Sequence, residues 1–126
     1  MAVELREKIE AAQKSLAEAE AKVSQRGELE SQRNAARERQ AELKVENDRL
    51  KREMDELKNR IEQLKVAEGA TCPLCGQDLS ESHRLSTLED LQAEGTSKGD
   101  WYRANQGDSA KLAEQIAGLE SQIASL

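Results

Sequence analysis

Between Leu43 and Leu64 the apolar side chains fall at Leu43, Leu50, Met54, Leu57, Ile61 and Leu64, and Asn47 takes the remaining slot. The steps alternate between four and three residues, which is a heptad seam. A second seam of the same spacing runs through Leu5, Ile9, Ala12, Leu16, Ala19 and Val23. Between them, Arg26, Gly27, Arg33 and Gln40 weaken the stripe over Ser24–Gln40, and Leu16 and Val23 fall out of phase with Leu29, Ala36 and Leu43. Such a slip over- or underwinds a supercoil, or bends it. The pattern predicts a long N-terminal helical arm over 1–68 with a soft middle. A helix of this kind cannot bury its stripe alone and needs a partner helix.

The partner is legible further on. Leu112, Ile116, Leu119, Ile123 and Leu126 form another seam, and counting back by heptads reaches Tyr102, Leu91 and Leu88, with Leu85 assigned to the same face. This predicts a C-terminal arm over 81–126. Gly95, Gly99 and Gly107 weaken it across 92–109, since each glycine costs a helix about 1 kcal/mol relative to Ala. The heptad phase survives that stretch, which favours a continuous, weak helix over a loop. Trp101 and Tyr102 lie within it and are expected to fill space against the first arm.

A hairpin turning between Cys72 and Cys75 brings the seams face to face: Leu64 with Leu85, Ile61 with Leu88, Leu57 with Leu91, Asn47 with Tyr102, Ala36 with Leu112, Leu29 with Leu119. The expected fold is therefore all-α, an antiparallel intrachain coiled coil with its turn at 69–80. Asn47, as a polar seam residue, is expected to fix register at some cost in stability. At the far end Ile116 and Ile123 would oppose Arg33 and Arg26, so the phase must adjust there. Leu126 would reach only to about Lys22. Residues 1–21 then carry a stripe with no partner in this chain, which suggests a second copy or a natural chain extending beyond Leu126.

Composition agrees. The chain has 126 residues, of which 35% are charged and 2% aromatic, with no Phe and one Pro. That supplies too little apolar volume for a globular core and favours long helices. No stretch approaches the length of a membrane span, and no secretory signal is visible, so a cytoplasmic location is expected. The net charge of −6 argues against direct nucleic-acid binding.

The two cysteines, Cys72 and Cys75, flank the single proline, Pro73, in the predicted turn. Two cysteines separated by two residues can aim both sulfurs at one metal ion. Pro73 presets one backbone angle of a tight turn. Gly76 can take a positive φ and let amides approach the sulfurs. Leu74 and Leu79 could shield the ion from water. A structural zinc site closes with four ligands. This chain supplies two, and His83 is its single imidazole. Even with His83 an intrachain site lacks a ligand, whereas two chains meeting turn to turn offer four sulfurs. A disulfide or redox pair is the competing reading. His83 is expected beside the start of the second helix, where Ser80 and Ser82 offer hydroxyls for capping.

Cys72-Pro73-Leu74-Cys75-Gly76, then Leu79 and Ser82-His83-Arg84, set between long heptad arms, resemble the zinc hook of the SMC-like ATPases of DNA double-strand-break repair, the Rad/SbcC family. The resemblance implies that Cys72 and Cys75 ligate one Zn2+ shared by two chains. It implies homodimerisation through the hook, tethering two DNA-bound heads. It further implies a nuclease subunit and DNA as partners of the parent protein elsewhere. The ATPase itself is not encoded here, because no Gly-x-x-x-x-Gly-Lys-Ser/Thr loop is present and one histidine cannot furnish a catalytic triad. No enzymatic activity is expected of this chain. A coiled-coil scaffold with an incidental or redox cysteine pair, and a small nucleic-acid-binding zinc knuckle, compete with the hook.

Overall fold

The computed structural model describes residues 2–67 and 71–126. Of the expected 69–80 turn, positions 69 and 70 lie outside the described residues. Two long helices, α1 (Ala2–Val66) and α2 (Glu81–Ala124), pack against each other as a hairpin with Cys72 and Cys75 at the turn, and no strand occurs among the described residues. Helix α2 is continuous through 92–109. Gly95 and Gly107 have open space where a Cβ would sit, so neighbouring atoms do not demand glycine there.

The chain divides into two compact units, Met1–Gln40 with Lys111–Leu126, and Ala41–Ala110. In the second unit Leu43, Leu50, Leu57 and Leu64 recur every seventh residue and are all buried, Leu50 and Leu64 completely. Each such leucine contributes about 1.5–3 kcal/mol of apolar burial. The alternate row, Asn47, Met54 and Ile61, is half-buried. Leu57, Leu64, Cys72 and Leu91 form one cluster, with Ile61, Leu74, Leu79 and Leu88 packed on it. Leu57 and Ile61 thus share a core with Leu91 and Leu88, as the seam pairing predicts.

Leu85 departs from that pairing, being 53% exposed. Counting back four residues from Leu88, or seven from Leu91, lands on Arg84, so Leu85 sits to one side of the seam. From the turn, Cys72 joins the cluster that holds Leu64, and Leu74 and Leu79 pack against that cluster. A similar offset separates the aromatic pair. Tyr102 lies on the heptad row and is half-buried, whereas Trp101 is 47% exposed with the Arg49 guanidinium 5.5 Å from its ring centre. Trp101 thus meets the first arm only at its edge, through Arg49 of α1, while Tyr102 is the more enclosed of the pair.

A polar network crosses the apolar seam of this unit. The buried Asn105 amide donates to Glu46 Oε1 at 2.8 Å and to Asn47 Oδ1 at 2.9 Å. The Asn47 amide donates to the Tyr102 carbonyl at 3.2 Å. Closer to the turn Lys98 pairs with Glu53 at 2.9 Å. A shift of register would strand the Asn105 and Asn47 amides among leucines, so the network discriminates one alignment. Asn105→Leu is expected to cost about 1–3 kcal/mol by leaving Asn47 Oδ1 without this donor. Urea denaturation reads this directly, and a variant more stable than the parent would contradict that cost, showing that the added leucine burial outweighs the lost hydrogen bonds.

In the other unit Ala36 and Leu119 are buried, and Arg37 pairs with Glu120. Glu120 thus faces Arg37, further along than the expected Ala36–Leu112 pairing allows. Burial on α1 accordingly begins at Leu29, not near Lys22. The weakened stripe around Arg33 and Gln40 is where such a shift is cheapest, because few leucines hold the phase. From Ala2 to Glu28 every residue is exposed, and Leu5, Ile9, Leu16 and Val23 form a bare apolar stripe.

Candidate metal centre

Helix α1 ends at Val66 and α2 begins at Glu81. The described part of the connection folds back as a short hairpin, with Thr71 bridging Asp78 and the Cys72 amide donating to the Gln77 carbonyl at 2.7 Å. Its tip is closed by the Gly76 amide, which donates to the Cys72 carbonyl at 3.0 Å. Gly76 takes φ +74°, a conformation that suits glycine. The resulting turn aims amides at a sulfur. The Leu74 N–H is the leading cause that lowers the Cys72 thiol to about 7, with the Cys75 N–H and His83 assisting and burial opposing. A thiol so lowered is a ready thiolate, the form that binds metal.

Ser80 caps α2, its Oγ accepting from the His83 N–H at 3.1 Å. This cap fixes the first turn of α2, and the His83 ring swings over the hairpin tip. His83 Nε2 lies 3.3 Å from Cys75 Sγ. The ligating atoms of Cys72, Cys75 and His83 all lie within 4.8 Å of one another. Cys72 is buried, His83 half-buried and Cys75 exposed, so the cluster opens to solvent on the Cys75 side. Both cysteines are free thiols. Two sulfurs and an imidazole are donors that zinc accepts, so the residues present fit such an ion.

Arg84 is a part that spacing did not reveal. Its guanidinium reaches from α2 to the end of α1, donating to the Leu64 carbonyl at 2.7 Å and the Ala67 carbonyl at 2.8 Å. The last carbonyls of a helix lack intrahelical donors, and a cation beside them also meets the negative end of the helix dipole. The signal was available: position 84 is on the heptad row, and an arginine facing a helix C-terminus has an evident use. Arg84→Ala is expected to cost about 2–3 kcal/mol, since hydrogen bonds from a charged donor are worth about 1.5–3 kcal/mol. Thermal unfolding measures it, and an unchanged midpoint would remove Arg84 from the base of the turn.

The expected site residues Cys72 and Cys75 therefore lie together, and His83 joins them as well as standing beside the start of α2. The family model described as the Rad50 zinc hook motif matches residues 50–100. Among curated proteins none matches the chain. The matched span takes in the hairpin tip, the Ser80 cap, Arg84 and the flanking helix segments, and residues 50–100 thus carry the zinc hook motif of a Rad50/SbcC-like protein.

Proposed function

We propose that this chain is a zinc-dependent homodimerisation module in which Cys72 and Cys75 of two copies share one Zn2+. The observation that carries this reading is the donor count at an exposed turn: a tetrahedral site needs four ligands, and one chain presents two sulfurs and one imidazole on a face open at Cys75. When bound, the ion supplies the cross-link. The chain's own residues do the rest. Amides hold the Cys72 sulfur, Leu74 and Leu79 wall the base, and Arg84 ties both arms to the turn. The arms then transmit the joint to whatever they carry. Likeness to the Rad50 zinc hook supports a parent ATPase of DNA double-strand-break repair with nuclease and DNA partners, acting in the cytoplasm or nucleoid. A small helical hook of this kind is not itself a catalytic domain. Among the described residues no helix is long and apolar enough to cross a membrane.

The test is molar mass in solution before and after chelation. Dissociation on chelation is expected. A dimer indifferent to chelator would favour the second reading, association through the bare α1 stripe of Leu5, Ile9, Leu16 and Val23. Acid should act like chelation. The folded Cys72 thiol titrates at about 7 against an ordinary value of 9.0, so the fold favours the thiolate. That stabilisation is complete above the ordinary value and is lost as pH falls through about 7, where protons also compete with the metal. At fixed zinc the dimer fraction should hold at alkaline pH and decline below neutrality. Sedimentation across pH measures it, and a dimer untouched in mild acid would separate assembly from the thiolates.

A further inference from the structure

We propose that His83 is a ligand of the unpaired hook: a single chain holds zinc through Cys72, Cys75 and His83, and releases His83 when the cysteines of a second, empty copy arrive. This inference rests on the reading of the cysteine pair as a zinc site. Its ground is the placement of the imidazole. For Zn–S near 2.3 Å and Zn–N near 2.0–2.1 Å, a tetrahedron sets sulfur and nitrogen about 3.6 Å apart and two sulfurs about 3.8 Å apart. The Cys75 Sγ to His83 Nε2 distance is 3.3 Å, and no pair in the cluster exceeds 4.8 Å. Small side-chain rotations bring all three donors onto one ion.

The ring's position is also anchored. The His83 amide is held by Ser80 Oγ, and the neighbouring Arg84 grips the Leu64 and Ala67 carbonyls. Both attachments act on the backbone or on the next residue and leave the imidazole free to swing away. The side that stays open is that of the exposed Cys75, where a second chain can approach.

Chemistry gives the arrangement a purpose. Two thiolates alone hold zinc poorly, so a shared site without a third donor would need two chains and an ion to meet together. A three-donor hook with one water in the fourth position loads first and dimerises second. On pairing, the bonds from zinc to His83 and to the water break, and two zinc–sulfur bonds to the partner form. The two partner thiols release their protons to solvent. No oxidation occurs. An empty partner is required, because a loaded one has no free sulfur to offer. Zinc in excess must therefore turn the dimer back into loaded single chains.

The experiment is a titration of the full chain with zinc, and in parallel with cobalt(II), followed by molar mass and by the sulfur-to-cobalt charge-transfer band. The parent chain should be dimeric at half an equivalent and monomeric, one metal per chain, in excess. The band per cobalt should fall to about half as four thiolates become two. In His83→Ala the dimer at half an equivalent should persist, and its dissociation should need at least about 100-fold more free metal, since outer-shell losses alone weaken metal sites about 10–100-fold. His83→Gln should behave likewise, and circular dichroism confirms that α2 is intact. Equal metal sensitivity of parent and variants overturns the proposal. So does loss of the half-equivalent dimer in both variants with helix content unchanged, which would make His83 part of the shared site. If the parent never dimerises yet takes up one metal per chain in a His83-dependent way, the ligand role stands and the shared-ion reading fails.

Discussion

Cys72→Ser with Cys75→Ser is expected to abolish zinc uptake and leave the chain monomeric at concentrations where the parent is a dimer. A structural zinc site of full coordination is worth about 10–16 kcal/mol in small peptides, and most of that is lost when thiolates become hydroxyls. Even a third of it, about 4 kcal/mol, weakens dimerisation about 1000-fold. Helix content should change little, because the Leu43–Leu64 seam holds the arms together independently of the sulfurs. The Cys75→Ser single variant is the cleaner control. Cys75 is exposed, while Cys72 is 2% exposed and packs in the leucine cluster, so its replacement also perturbs the core. Sedimentation and metal analysis decide the matter. Undiminished association in the double variant would assign the dimer to the helices.

Leu64→Ala should have the largest effect on stability. Leu64 is fully buried in the cluster that joins Leu57, Cys72 and Leu91, and its carbonyl accepts from Arg84. Large-to-small changes at such sites cost about 2–5 kcal/mol, partly as a residual cavity. The loss should also reach the metal site, since the cavity opens beneath Cys72. Urea denaturation should show the lowered stability, and zinc should restore part of it in proportion to its binding. Leu85→Ala, at an exposed position close by, should be near neutral and serves as the reference. Equal costs at the two positions would contradict the packing described.

The sequence was informative where side chains repeat and less so where a single contact decides. The heptad row Leu43, Leu50, Leu57 and Leu64 fixed both the helix and its buried face, and Leu88 and Leu91 followed from the same arithmetic. Leu85 was misplaced because its apolarity outweighed the count that lands on Arg84. Asn105 went unnoticed although it lies on the row, since a polar residue in a weak helix reads as surface until Asn47 and Glu46 are seen to meet it. The outer register was legible only as a conflict at Arg33 and Arg26. Its resolution depends on the Arg37–Glu120 pair, a contact between positions far apart in sequence. Cys72 and Cys75 announced the site through spacing. His83 could be placed near it but not over it, because the direction of its ring depends on the Ser80 cap and on how α2 leaves the turn.

Zinc added at half an equivalent to metal-free protein, with molar mass and bound metal determined on the same sample, measures whether a lone turn satisfies the ion. A twofold particle carrying all of the added metal is the predicted result. Single chains, half of them loaded and half bare, would contradict it.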